Sequence, residues 1–145
     1  MRQEERVRAE VWQALRGFVM SEHERHLGTL TRLDVSAGDL KALLSLEPGQ
    51  GQPMRALADT WHCDASTVTW IVDRLEKRGL VRRGPHQTDR RVKVVVLSEE
   101  GERIRTRWLD EVHRPPAVLA DLSDTELRAL CALVDRLGTT ATGGS

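Results

Sequence analysis

Between Asp64 and Lys93 the chain sets small hydroxyl side chains beside a dense run of cations. Ala65, Ser66, Thr67 and Thr69 come first, then Trp70, and after them Arg74, Lys77, Arg78, Arg82, Arg83, Arg90, Arg91 and Lys93. Only Asp64, Asp73, Glu76 and Asp89 oppose these cations. Eight of the chain's 22 Lys and Arg and four of its 22 acids fall here, so the segment carries +4 and the rest of a neutral chain carries −4. Hydroxyls can bond phosphate oxygens or base edges, and guanidinium groups match both with planar donors. A local positive surface on a neutral molecule suits a protein that meets a polyanion on one face only. Short polar residues are also good helix openers in their own right, so the elements that hold them matter.

Those elements follow from periodicity. Apolar residues at Val7, Val11, Leu15, Phe18 and Val19, extended by Leu27 and Leu30, predict an amphipathic helix from Glu4 to about Leu30. Such a terminal helix needs a partner surface, because propensity alone does not hold it in water. Ser36 with Asp39 reads as a capping pair opening a short helix through Leu46, which the Pro48–Pro53 stretch breaks. Pro53 suits the first turn of the next helix, with Met54, Leu57, Ala58 and Trp61 on one face. After the turn His62-Cys63-Asp64, with Asp64 or Ser66 as N-cap, a second helix runs to Arg78 with Val68, Ile71, Val72 and Leu75 inward, and Gly79 closes it. Two short helices joined by a tight turn make a helix-turn-helix.

The period then changes. Leu80–Arg83 and Val92–Leu97 read as strands joined by Gly84–Asp89, a hairpin with a basic tip. Ser98 caps a helix through Ile104, Trp108, Leu109 and Val112, stopped at Pro115-Pro116. A last helix opens at the capping box Ser123–Glu126, buries Leu127, Leu130, Leu133, Val134 and Leu137, and ends at Gly138, before a disordered tail. The expected fold class is mainly α: a winged helix-turn-helix with a two-stranded β-wing and flanking helices.

The segment Asp89-Arg90-Arg91-Val92-Lys93-Val94-Val95-Val96-Leu97-Ser98-Glu99-Glu100-Gly101 resembles the wing signature of the multiple-antibiotic-resistance regulator (MarR) family. Leu57-Ala58, Ser66-Thr67-Val68-Thr69 and Val72 through Val81 are similar to that family's recognition helix and its exit. The resemblance runs from about residue 5 to 137 and is most specific over the central 45 or so residues. It implies a homodimer built from an N-terminal helix in 1–34 and C-terminal helices in 99–138, around a DNA-binding domain in 35–98, with 139–145 as the tail. It implies a repressor of a pseudo-palindromic duplex operator, relieved by a small aromatic or phenolic effector. Its implied DNA contacts are Ala65, Ser66, Thr67, Thr69, Trp70, Arg74, Arg83, Asp89, Arg90 and Arg91, with Asp89 bracing an arginine and Arg90 or Arg91 entering a minor groove. Asp89 and Arg91 could instead form a surface ion pair alone. Trp70 departs from the family, which often carries Arg there; it packs against a thymine methyl or sugar face, or tucks under the wing. Effector candidates are Trp12, Arg16, His23 and Trp108, although tryptophans on helices are more often plain core.

Other function classes fall away. There is no phosphate-binding glycine loop, nucleophile elbow or paired carboxylates in an apolar setting, so an enzyme is not expected. No run of about 18 apolar residues and no apolar leader is present, so the chain is expected in the cytoplasm and not in a membrane. No cofactor is expected. His23 and His26 are three apart without the His-Glu-x-x-His order and read as a solvated face rather than a metal site. Cys63, in the turn, reads as a buried small side chain rather than a redox sensor, and Cys131 is not read as one either, since a reactive thiol needs exposure and a cationic neighbourhood. A winged helix that binds another protein is the alternative reading; salt-dependent binding to duplex DNA separates the two.

Overall fold

The computed structural model describes residues 2–142, of which it forms two compact units meeting after Val112. Each is considered by itself.

The first unit begins with α1 (Gln3–Leu33), about 46 Å long at 1.5 Å per residue. It opens with the Glu5 carboxylate accepting from the Arg2 backbone N–H at 3.1 Å and closes at Asp34 in the left-handed region. Only its last turns enter a core, at Thr29 and Leu30. The expected stripe forms, but Val7, Val11, Phe18 and Val19 are left 42–60% exposed. Helix α2 (Ala37–Leu44) is capped by Ser36, whose hydroxyl accepts from the Asp39 N–H at 3.0 Å. It ends two residues before Leu46, which is fully buried all the same.

The Pro48–Pro53 stretch does more than break a helix. Gln52–Pro53 forms strand β1, which pairs with β3 (Lys93–Leu97), and β3 pairs with β2 (Val81–Pro85), all antiparallel in the order β1-β3-β2. The sheet therefore has three strands where two were expected. Register runs Gln52↔Val95 and Pro53↔Val94 on one side, and Val81↔Leu97 to Pro85↔Lys93 on the other. Proline lacks an N–H and so tolerates an edge position. Gly51 lets the chain come this close, since a Cβ there would lie 2.5 Å from a Val94 methyl. Pro53 thus sits just before α3 (Met54–Trp61), as its N-cap rather than inside its first turn.

Helix α4 (Ala65–Lys77) follows the turn and lays Val68, Val72 and Leu75 into the core, all 0% exposed, against Leu43, Leu57, Val81 and Val95. Gly79, at φ 71°, ends it. Helix α5 (Glu99–His113) docks on the exit of α4. The Ser98 hydroxyl donates to the Gly79 carbonyl at 2.5 Å and accepts from the Gly101 N–H at 3.1 Å. A Cβ on Gly101 would meet the Leu80 carbonyl oxygen at 2.0 Å. The Glu-x-Gly helix start is thus a close-approach requirement.

In the second unit a 3₁₀ turn (Ala117–Asp121) follows Pro115-Pro116, a piece that no periodicity announces. Helix α6 (Asp124–Thr142) opens with the expected capping box: the Ser123 hydroxyl accepts from the Glu126 N–H at 3.3 Å, and the Glu126 carboxylate accepts from the Ser123 N–H at 2.8 Å. It runs through Gly138 to Thr142 rather than stopping there, so the first part of the expected tail is helical; residues 143–145 lie outside the described residues. The expected burial of Leu130, Leu133, Val134 and Leu137 is not met within the chain, where they are 38–59% exposed.

Replacing Gly101 with Ala should destabilise the first unit by about 2–4 kcal/mol, as overpacking against backbone cannot be relieved by a rotamer change. A thermal or urea melt of the variant measures it; an unchanged midpoint would mean that α5 does not dock as described.

Candidate nucleic-acid interface

The outer surface of α4 follows from its inner one. At about 100° per residue, burying Val68, Val72 and Leu75 turns Ser66, Trp70, Asp73 and Lys77 to the far side, with Thr69 and Thr67 on the flanks. Ala65, Ser66, Thr69 and Trp70 are exposed, while Thr67 is half-buried. His62, in the left-handed region at φ 52°, makes the tight turn, and Cys63 packs against the core beneath it.

Asp64, not Ser66, is the N-cap: one carboxylate oxygen accepts from the Thr67 N–H and from the Ser66 hydroxyl, each at 2.7 Å. These bonds, the Ser66 hydroxyl's foremost, hold the Asp64 carboxyl below the ordinary aspartate range. The Thr69 hydroxyl donates to the Ala65 carbonyl at 2.9 Å. With their protons committed inward, Ser66 and Thr69 offer lone pairs outward. That suits the amino groups of adenine and cytosine better than phosphate oxygens, which need donors.

The cations sort into two sets. Arg74 donates from Nε to Asp39 at 2.9 Å and from Nη2 to the same oxygen, and its guanidinium lies 4.4 Å from the Trp70 ring centroid. Arg78 reaches Asp39 at 3.3 Å and also bonds Asp34. Arg83 is clamped to α4 by Asp73 at 2.5 Å and Glu76 at 2.9 Å. The Asp73 hydrogen bond leads in raising its pKa. Arg74 and Arg83 are therefore engaged inside the domain. Lys77, Arg82, Arg90 and Lys93 are exposed with no ion-pair partner among the described residues. Composition counts these four, but only Arg90 is among the expected contacts, because nothing in a sequence separates a paired cation from an unpaired one.

At the wing tip, the His86 N–H donates to the Val92 carbonyl at 2.8 Å and the Val92 N–H to the Asp89 carbonyl at 3.1 Å. Asp89 accepts from the Arg91 backbone N–H at 3.1 Å and lies 3.7 Å from its Nε, with the Arg91 side chain 96% exposed. Trp70, 63% exposed, does not tuck under the wing.

The effector candidates are not gathered into one cavity. Trp12, Arg16 and His23 are exposed along α1, whereas Trp108 meets His26 edge-on at 5.6 Å. A cavity of about 400 Å³ lies elsewhere, between Gly49–Gly51 and the base of the wing at Gly84–Thr88, over Val94 and Val96. Among the described residues no group of three His, Cys, Asp or Glu is placed to hold a metal ion, and both cysteines are free.

A helix-turn-helix whose second helix turns a polar strip outward, followed by a basic-tipped antiparallel hairpin, is a winged helix-turn-helix domain. Comparison with known proteins agrees. Residues 35–93 match the model of the MarR family. Over 95 residues the chain is 30% identical to an uncharacterized HTH-type transcriptional regulator, YfiV, of Bacillus subtilis (strain 168). That match covers 66% of this chain and 59% of that protein, so the chain spans about three fifths of its curated relative. A MarR family protein from Bacillus stearothermophilus is 29% identical with a TM-score of 0.66, over 95% of this chain and 97% of that one. The fold is shared with the MepR–DNA complex of S. aureus, at a TM-score of 0.72 and 19% identity over 89% of this chain and 98% of that one. Over its winged helix-turn-helix segment the chain is thus similar to proteins of the MarR family.

Because the Asp64 pKa is lower folded than unfolded, its stabilisation is complete above the ordinary aspartate range and is lost as pH falls through the lowered value. Glu100, paired with Arg103, and Glu126, bonded to Ser123, shift the same way. Asp64→Asn, which keeps a capping oxygen, should flatten the acid limb of melting temperature against pH without abolishing it. A limb of unchanged steepness would show that Asp64 carries none of it.

Proposed function

We propose that the chain is a transcriptional regulator that binds a pseudo-palindromic duplex as a homodimer in the cytoplasm. On this reading it acts as a repressor relieved by a small aromatic or phenolic effector. Proteins of the family are transcriptional regulators, not enzymes, and among the described residues no helix is long and apolar enough to cross a membrane. The observation that carries the proposal is the sorting of charge around α4. Three arginines are neutralised inward, while Lys77, Arg82, Arg90, Arg91 and Lys93 stay exposed on the helix that presents Ser66 and Thr69 and on the hairpin, turn included, that follows it. Ala65, Ser66, Thr67 and Thr69 would face base edges, with Trp70 among them, while Arg90 and Arg91, braced by Asp89, would supply the minor-groove contact. Arg74 and Arg83 would support the helix rather than touch DNA.

The homodimer is supported by rows of uncovered apolar side chains on α1 and, separately, on α6, since contiguous apolar surface marks interaction sites. Trp12 and Arg16, one turn apart on α1, pair an indole with a guanidinium, which suits an aromatic carboxylate.

Replacing Arg90 and Arg91 together with Ala should weaken operator and random duplex alike and lower the salt slope of log K by about two. Titrations at several salt concentrations measure it, and salt-independent DNA binding by the parent protein would favour the protein-binding alternative. Leu133→Asp with Leu137→Asp should give a monomer whose operator affinity falls by about 100-fold or more, because two half-sites are no longer engaged together. Sedimentation beside DNA titration tests this; a monomer with undiminished operator affinity would refute the dimer.

A further inference from the structure

The outermost line of α4 carries an apolar group where the domain's own packing has no use for one. Trp70 lies about 200° around the helix from Val68, opposite the buried Val68, Val72 and Leu75, and is 63% exposed. Its ring is nonetheless held. The Arg74 guanidinium lies 4.4 Å from its centroid, and Arg74 is itself bonded at 2.9 Å to Asp39, whose side chain is 5% exposed. A buried carboxylate thus fixes a guanidinium, and the guanidinium fixes an indole that projects towards solvent.

We propose that Trp70 reads the 5-methyl group of a thymine in the major groove, and that Arg74 and Asp39 are positioning residues that hold its ring for that contact. The inference rests on α4 being the groove-facing helix. Of the groups that base edges present in the major groove, only the thymine methyl is apolar. An indole face has no acceptor or donor with which to answer the others, and it gains by covering a methyl. Arg74, which would otherwise compete for guanine, has its Nε and Nη2 donors turned to Asp39. The stack also keeps the ring in one rotamer before DNA arrives, which reduces the ordering cost at binding.

The probe is a duplex selected by the full-length protein from a random-sequence pool, then resynthesised with deoxyuridine in place of one thymine at a time. That substitution keeps the base pair and removes only the methyl. In each half-site one thymine should be found at which deoxyuridine weakens binding about fourfold, the equivalent of one buried methyl-sized group. With Trp70→Ala the thymine and deoxyuridine duplexes should bind equally at that position, while responses elsewhere persist. The paired change Asp39→Asn with Arg74→Met leaves no charge buried alone. It should shrink the fourfold ratio towards one without altering preferences at other positions, a pattern that a general loss of folding cannot produce. Arg74→Lys, which keeps the charge but has no planar face to stack, should shrink the ratio in the same way, and gives the reading if the paired variant melts early. Deoxyuridine tolerated at every position, or a fourfold response that survives Trp70→Ala, overturns the proposal while leaving α4 as the reader. An intact ratio in folded Arg74→Lys overturns the positioning role. A pool that yields no preferred sequence overturns the reading of α4 itself.

Discussion

The Asp39 carboxylate determines how the helix-turn-helix presents itself. It is 5% exposed and accepts from Arg74 and Arg78, both on or just after α4, while its own backbone starts α2. A buried carboxylate without partners is untenable, and removing one partner of such a cluster typically costs about 3–5 kcal/mol. The cluster therefore fixes the rotation of α4 about its axis together with the apolar line Val68, Val72 and Leu75. Burial of the valines selects an inward face; the ion cluster selects one side of it, because Arg74 can reach Asp39 only from there. Everything on the outer surface of α4 inherits that setting, including the indole that Arg74 covers.

The same pairing resolves the neutrality of the chain. Eight cations crowd the segment from Asp64 to Lys93, yet Arg74, Arg78 and Arg83 meet Asp39, Asp34, Asp73 and Glu76 within the first unit. The exposed remainder is smaller than composition suggests but better defined, lying on Lys77, Arg82 and the wing. Exposed charges separated from counter-charges by more than about 8–10 Å are what a polyanion meets at physiological salt, since closer pairs largely cancel. The positive field is thus made by which arginines are left out of ion pairs, and not by their number.

That distinction marks how far the sequence was legible. Local signals were: the Val68–Val72–Leu75 spacing, the Ser123–Glu126 capping box, Gly79 at the end of α4 and Ser98 at the start of α5 all act within a few residues and appear as read. Features that depend on residues far apart were not. Asp39 looked like the second half of a capping pair, and its N–H does fill that role, but its carboxylate bonds arginines 35 and 39 residues away. Strand β1 has only two residues and no period to detect; it exists because β3 offers an edge and Gly51 permits the approach. The stripes of α1 and α6 were recognisable as apolar, yet their spacing does not say whether the chain's own fold covers them, and it leaves them exposed.

Along α1 the change from bare to anchored surface is abrupt and has a mechanical consequence. Arg25 joins Glu22 at 2.8 Å and Glu111 of α5 at 2.6 Å, His26 meets Trp108 edge-on, and Thr29 and Leu30 are buried one turn later. The C-terminal third of α1 is therefore bound to α5, and α5 in turn abuts the exit of α4 at Gly101 and Leu80 with no room for a Cβ. Ion pairs, aromatic edges and backbone contact of this kind rearrange in discrete steps rather than deforming smoothly. A displacement of the exposed part of α1 would be passed to α4 as rotation of a nearly rigid body. In the proposed homodimer, two such bodies reading one duplex would keep their helices about 34–36 Å apart. On the proposed function, a small molecule lodged against Trp12 and Arg16 would lose the match by shifting that spacing a few ångström.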